Sequence, residues 1–270
     1  AQVPANDTGL ILVNVPRTTD WMFPLYLILI NLFVAPIVLA STGTVNLSTF
    51  GLTLGGSAGG AILGGIRNSA GSITKSGTGT WTLYGTGSYT GGTTINGGIL
   101  QAGSVNSVGT GSLTVNNGAF DLNGKTFSLS GSPTSLTLNG SGVGGGGALM
   151  NSSATAATYP GPVALGSASA IVGGAGSIAL TSTTSITGNT FNLTLGGAAG
   201  GSVVAAIATT TGGLTKQDAG TWVLTGANTY TGNTTISGGT LQIGAGATGS
   251  LSATSNISIG AGATLAYKLY

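Results

Sequence analysis

Residues 75–101 read KSGTGTWTLYGTGSYTGGTTINGGILQ and residues 216–242 read KQDAGTWVLTGANTYTGNTTISGGTLQ, with sixteen of twenty-seven positions identical. The offset, 216 − 75, is 141 at every position, and it holds upstream, where FGLTLGG at 50–56 matches FNLTLGG at 191–197. A gapless register of this length means duplication, and a duplicated unit constrains the fold more than any other feature of the chain. Downstream, Leu113-Thr114-Val115 and Gly118-Ala119 correspond to Ile257-Ser258-Ile259 and Gly262-Ala263 at an offset of 144, as if one loop had gained three residues. The chain therefore divides into a first unit with its spacer at 41–181 and a second, shorter unit at 182–270. A solenoid ending partway through a unit presents an unpaired edge, unless a cap or another molecule covers it.

Within each copy the apolar residues alternate, as in Trp81-x-Leu83 and Trp222-x-Leu224, which buries one face of a short strand. Glycines punctuate these strands, with 52 in the chain, and allow a turn roughly every 8 to 12 residues. Barrels, sandwiches and solenoids all satisfy that spacing. Duplicated units with almost no charge favour an all-β solenoid, in which each rung buries its face on the next. The predicted repeat core is Trp81, Leu83, Tyr89, Ile95 and Leu100, with Trp222, Leu224, Tyr230, Ile236 and Leu241 as counterparts. Thr93-Thr94 and Thr234-Thr235 are expected on exposed strand faces, where hydroxyls bond across rungs. Trp81, Tyr89, Trp222 and Tyr230 could instead form an aromatic surface for glycans; their fixed place in the repeat favours the core.

The pattern Lys216-x-x-x-Gly220-Thr221-Trp222-x-Leu224-x-Gly226-x-Asn228-Thr229-Tyr230-Thr231-Gly232-x-Thr234-x-Ile236-x-x-Gly239-Thr240-Leu241-Gln242 closely resembles the autotransporter-associated β-strand repeat, also called the passenger-associated transport repeat. Ser112-Leu113-Thr114-Val115 with Asp121-Leu122-Asn123-Gly124 resembles the spacers between such repeats. The resemblance covers about residues 41 to 270. It implies a right-handed parallel β-solenoid on a bacterial surface, in large passenger proteins or adhesins. The first copy departs from the pattern at Gly87 and Ile99.

Residues 1–40 are unlike the rest. Trp21 to Ala40 form an uncharged apolar stretch about as long as a membrane-spanning helix, but Pro24 and Pro36 leave an uninterrupted run of only 25–35. Two readings stay open. In one the stretch anchors the chain in a membrane; in the other it is buried in protein as a strand or interface plug. Leu25, Leu27, Ile28, Leu29, Ile30, Leu32, Phe33 and Val34 are the candidate interface or anchor residues.

Chemistry is sparsely supplied. Charged residues make up 4% of the chain, histidine and cysteine are absent, and the side-chain carboxylates are Asp7, Asp20, Asp121 and Asp218, none paired in sequence. No catalytic, cofactor-binding or metal-ligating constellation follows from that set, and six scattered Lys and Arg residues argue against nucleic-acid binding. Lys75 and Lys216 occupy equivalent repeat positions, which reads as architecture. Asn-x-Ser/Thr sites at Asn6, Asn46, Asn139, Asn151, Asn192, Asn233 and Asn256 are mostly what an Asn-, Ser- and Thr-rich composition produces by chance.

These observations predict a non-enzymatic structural protein of the bacterial exterior, a self-associating subunit of a filament or surface layer whose partners are other copies of itself. The alternatives are a passenger or adhesin module, with membrane contact through residues 21–40, and a polysaccharide-active solenoid enzyme.

Overall fold

Alternation of inward apolar and outward polar residues, repeated every rung, produces a stack of parallel strands. The computed structural model describes residues 27–29, 36–40, 43–67, 70–128, 133, 135–246, 248–253 and 255–268. All strand pairings among them are parallel, and the chain winds into a β-solenoid of about ten turns. At the usual spacing of about 4.8 Å between strands, ten rungs span roughly 48 Å. Each rung has three sides, which stack in three columns. In the first copy, one column stacks Leu52, Ile73, Thr93, Leu113 and Leu136. The next stacks Gly60, Trp81, Leu100, Phe120 and Leu149. The third is a file of short bridges such as Ile66 with Gly87.

The stacking does not begin at residue 41. Leu27–Leu29 pairs with Leu52–Leu54, and Ile37–Leu39 pairs with Gly60–Ile62, so both short strands extend the two main columns backwards. Ile37 is buried against the core. Leu25, Ile30, Leu32, Phe33 and Val34 lie outside the described residues, and no described helix is long and apolar enough to cross a membrane. Nor does the structure break between 181 and 182, because Ile178–Leu180 pairs directly with Gly201–Val203.

The two copies do not face the same way. Following the second column, Gly60 leads through Trp81, Leu100, Phe120, Leu149 and Ile171 to Leu195. Leu195 is the counterpart of Leu54, which stands in the first column. From Leu54 to Leu195 the chain thus makes six turns and one further side, so the second copy is rotated by one side of a three-sided solenoid. The cause lies in the spacer. Within the first copy successive rungs step from Leu52 to Ile73 to Thr93, whereas the spacer steps from Leu136 all the way to Val163, a distinctly longer coil. The extra length is accommodated by the 11-residue strand Val163–Gly173, whose start pairs with Leu136–Leu138 and whose end pairs with Leu149–Asn151.

The last coil corrects the sequence register by one residue. Ala119 stacks on Ile99, while Thr264 stacks on Thr240, the counterpart of Ile99. Thr264, not Ala263, is therefore the equivalent of Ala119. Asn117 (φ 58°) and Gly262 (φ 77°) mark the same left-handed turn position, preceded by one more residue in the second copy.

Candidate functional site

The residues predicted as repeat core all point inward and are fully or almost fully buried, from Trp81, Leu83, Tyr89, Ile95 and Leu100 to Trp222, Leu224, Tyr230, Ile236 and Leu241. Their polar atoms stitch one rung to another. Each indole Nε1 donates to a carbonyl of an earlier rung, Trp81 to Gly55 and Trp222 to Gly196, both at 2.9 Å. Each tyrosine hydroxyl meets a threonine hydroxyl slightly further along the chain, Tyr89 with Thr93 at 2.6 Å and Tyr230 with Thr234 at 2.7 Å. That contact revises the threonine pairs. Thr93 and Thr234 are buried to meet the tyrosines, and only Thr94 and Thr235 face outward.

Sequence reasoning missed the seats of the two tryptophans. Gly60 lies under the Trp81 ring and Gly201 under the Trp222 ring, one rung earlier, while their neighbours Gly59 and Gly200 press on the Thr80 and Thr221 backbone. A methyl group on Gly201 would stand 2.9 Å from the Trp222 ring and 2.2 Å from the Ile178 carbonyl oxygen, and Gly60 is enclosed in the same way. The signal was present as two glycine pairs at the offset of the duplication, each one rung's length of chain ahead of its tryptophan. Gly201→Ala should therefore cost about 2 kcal/mol from overpacking, read as a lower urea midpoint, whereas Gly51→Ala, whose methyl group would stand 3.4 Å from Ser72 Oγ, should leave the midpoint nearly unchanged.

Lys75 and Lys216 are buried inside the solenoid, each with its ammonium held by three carbonyls. Lys75 Nζ donates to Ser76, Gly77 and Gly97 at 2.7, 3.0 and 2.9 Å, and Lys216 Nζ to Gln217, Asp218 and Gly238 at 2.7, 2.8 and 2.9 Å. The third carbonyl of each set belongs to the next rung, so the lysine ties one tight corner to another. Burial pushes the Lys75 ammonium down to about 8. Burial also lowers Lys216, opposed by the nearby Asp218 carboxylate. Lys216→Met leaves three carbonyls without their donor and should destabilise the chain by about 2 kcal/mol, the desolvation cost of the ammonium offsetting part of its bonds. Equal midpoints for variant and parent in urea would show the cage to be incidental.

Gly87 departs from the repeat pattern for a steric reason. Its counterpart Asn228 fills the inner corner, accepting from Ile207 N at 2.9 Å and donating to Ser250 O at 2.6 Å. At Gly87 a Cβ would stand 2.6 Å from the Ser107 carbonyl, because the shorter loop of the first copy already occupies that space.

The described carboxylates are engaged. Asp121 accepts from Asn123 N, Ser152 N, Ser152 Oγ and Gln101 Nε2, and Asp218 accepts from Gly197 N at 2.7 Å. No group of three metal-ligating side chains occurs among the described residues. Outside, the strands carry a file of in-register hydroxyls, Thr53, Thr74, Thr94, Thr114 and Thr137 in the first copy and Thr194, Thr215, Thr235 and Ser258 in the second. On the second file lies an open groove of about 430 Å³, lined by Asn192, Thr211, Thr215, Asn233 and Thr235 over Gly213 and Gly232. Of the Asn-x-Ser/Thr sites, Asn151 is fully buried and Asn139 is bonded to Val115 O and Asn116 Oδ1, while Asn192, Asn233 and Asn256 are exposed on this face.

A three-column parallel stack with polar stitches inside and no assembled catalytic cluster among the described residues defines a β-solenoid repeat protein. Residues 73–102 and 214–243 match the passenger-associated-transport-repeat, and the chain carries two copies of it. Each copy includes two stacked strand pairs, 73–75 on 93–95 and 80–83 on 99–102 in the first, so the repeat is a piece of chain that stacks on itself. Over 202 residues, 74% of this chain, the sequence is 34% identical to the adhesin BmaC autotransporter of Brucella suis biovar 1 (strain 1330). The chain spans 4% of the length of that relative. No solved structure matches it.

Proposed function

We propose that this chain is a stretch of the extracellular passenger of a bacterial surface adhesin, a non-enzymatic spacer and contact module built on a β-solenoid. The observation that carries this reading is the pair of passenger-associated transport repeats, supported by the identity to an adhesin autotransporter. The physics agrees with such a role. Interior bonds run from rung to rung, so rigidity comes from the stack itself and extends with every added coil. Beads coated with the purified chain should adhere to epithelial monolayers more than beads coated with an unrelated β-solenoid of equal length; equal adhesion would count against the reading.

A further inference from the structure

We propose that the groove on the second copy is a subsite for a neutral polysaccharide, an inference that rests on the adhesin reading and gives it a ligand class. The groove is not demanded by the repeat. Along this column the second copy places Asn192, Gly213 and Asn233 on successive rungs, where the first copy has Gly51, Ser72 and Gly92. The pattern is inverted: two carboxamides flank a glycine floor in the second copy, and one small hydroxyl stands between two glycines in the first. Thr211 likewise replaces Ala70. Core residues of the two copies are nearly interchangeable, so these outward changes are not imposed by packing.

The lining selects the ligand by elimination. It holds no charge, which excludes the phosphate contacts that nucleic acid requires and gives no purchase to an anionic glycan. It holds no Trp, Tyr or Arg, the residues that anchor protein partners, and it has no apolar wall for a lipid or aromatic ligand. What remains are carboxamides, hydroxyls and backbone groups that both donate and accept, the complement of a ring of sugar hydroxyls. Asn192 Oδ1 already accepts from Gly213 N at 2.7 Å, which leaves its amide to donate, and the Asn233 side chain makes no hydrogen bond within the protein among the described residues. Asn192 and Asn233 stand two rungs apart, roughly 10 Å, a span that a disaccharide unit covers. Asn256 and Ser258 continue the file on the following rung. Exposed hydrogen bonds of this kind bind weakly one by one, and a polymer engaging several rungs compensates through effective concentration.

The test is affinity electrophoresis of the purified chain in native gels cast with dextran, mannan or galactan, with heparin as an anionic control. Retardation by at least one neutral polymer is expected, with the dissociation constant raised about fivefold for each lost hydrogen bond in Asn192→Gly and Asn233→Gly. Asn233→Gly alone decides the matter should the double variant misfold, since Gly92 shows that the repeat tolerates glycine there. No retardation by any neutral polymer, retardation by heparin alone, or equal retardation of parent and Asn233→Gly overturns the proposal. So does a hexose found on Asn233 by mass spectrometry of native material, which would make the file an acceptor of sugar. Polymer retardation unchanged by Asn233→Gly beside bead adhesion above the control would remove this subsite and leave the adhesin reading standing.

Discussion

Truncating Trp222 to Ala should lower the free energy of unfolding by about 3 to 5 kcal/mol, the range for removing a large aromatic side chain from a packed core. The indole is fully buried, fills the space above Gly201, and pairs with the Gly196 carbonyl. Its removal combines lost transfer energy, a cavity with a backbone floor that cannot rise to fill it, and an unpaired buried acceptor. Trp81→Ala should behave in the same way, since the Gly60 seat and the Gly55 carbonyl repeat these contacts in the first copy. Urea unfolding followed by far-UV circular dichroism measures both. A loss below about 1 kcal/mol would show the indole to be peripheral to the stack. In a solenoid, coupling runs between neighbouring rungs, so the two substitutions should lower stability in separate parts of the transition rather than shift it as one.

A larger effect is expected from alkali. Burial pushes the Tyr89 phenol up to about 12 and the Tyr230 phenol to about 12, against the lowering influence of Thr93 and Thr234, and burial raises Tyr159 as well. A raised folded value means that the folded chain keeps its proton where the unfolded chain has lost it. The stability from these groups is complete below pH 10 and disappears as pH climbs through 12. Together the two phenols contribute on the order of 5 kcal/mol that alkali removes. Lys75 acts in the opposite sense at lower pH. Its folded value of about 8 lies below the ordinary 10.5, so the unfolded chain binds the extra proton and stability rises across that window. The profile should therefore peak near pH 10 and collapse between 10 and 12, with the tyrosinate absorbance of the buried phenols appearing together with unfolding. Tyr89→Phe with Tyr230→Phe should start less stable at neutral pH, because Thr93 loses its partner and Thr234 keeps only Ser255, yet lose less between pH 10 and 12. Because Tyr84 and Tyr267 are exposed, the signal is read as parent minus the Tyr89→Phe/Tyr230→Phe variant, and tyrosinate in that difference at pH 10 while the chain is folded would contradict the buried geometry.

Much of this architecture was legible in the chain because its causes are local. Alternation around Trp81-x-Leu83 names the inward face, and the duplication names the residues that share an environment. Polar interior groups were less legible. A lysine in a strand normally signals solvent, and only the closing of two glycine corners around Lys75 and Lys216 makes three carbonyls available inside. The threonine pairs differ: period-two alternation from the core residues Ile95 and Ile236 already puts Thr93 and Thr234 on the inward face, and only the structure shows the Tyr89 and Tyr230 hydroxyls that meet them there.

By itself the sequence determined the repeat, its inward residues and its all-β character, all of which depend on neighbours along the chain. It could not determine that the second copy is turned by one side relative to the first, nor that Asn192, Asn233 and Asn256 share one outward file. Those follow from the summed length of every coil between the copies. A solenoid closes each turn by hydrogen bonding to the rung before it, so the long step from Leu136 to Val163 changes the direction in which everything after it faces.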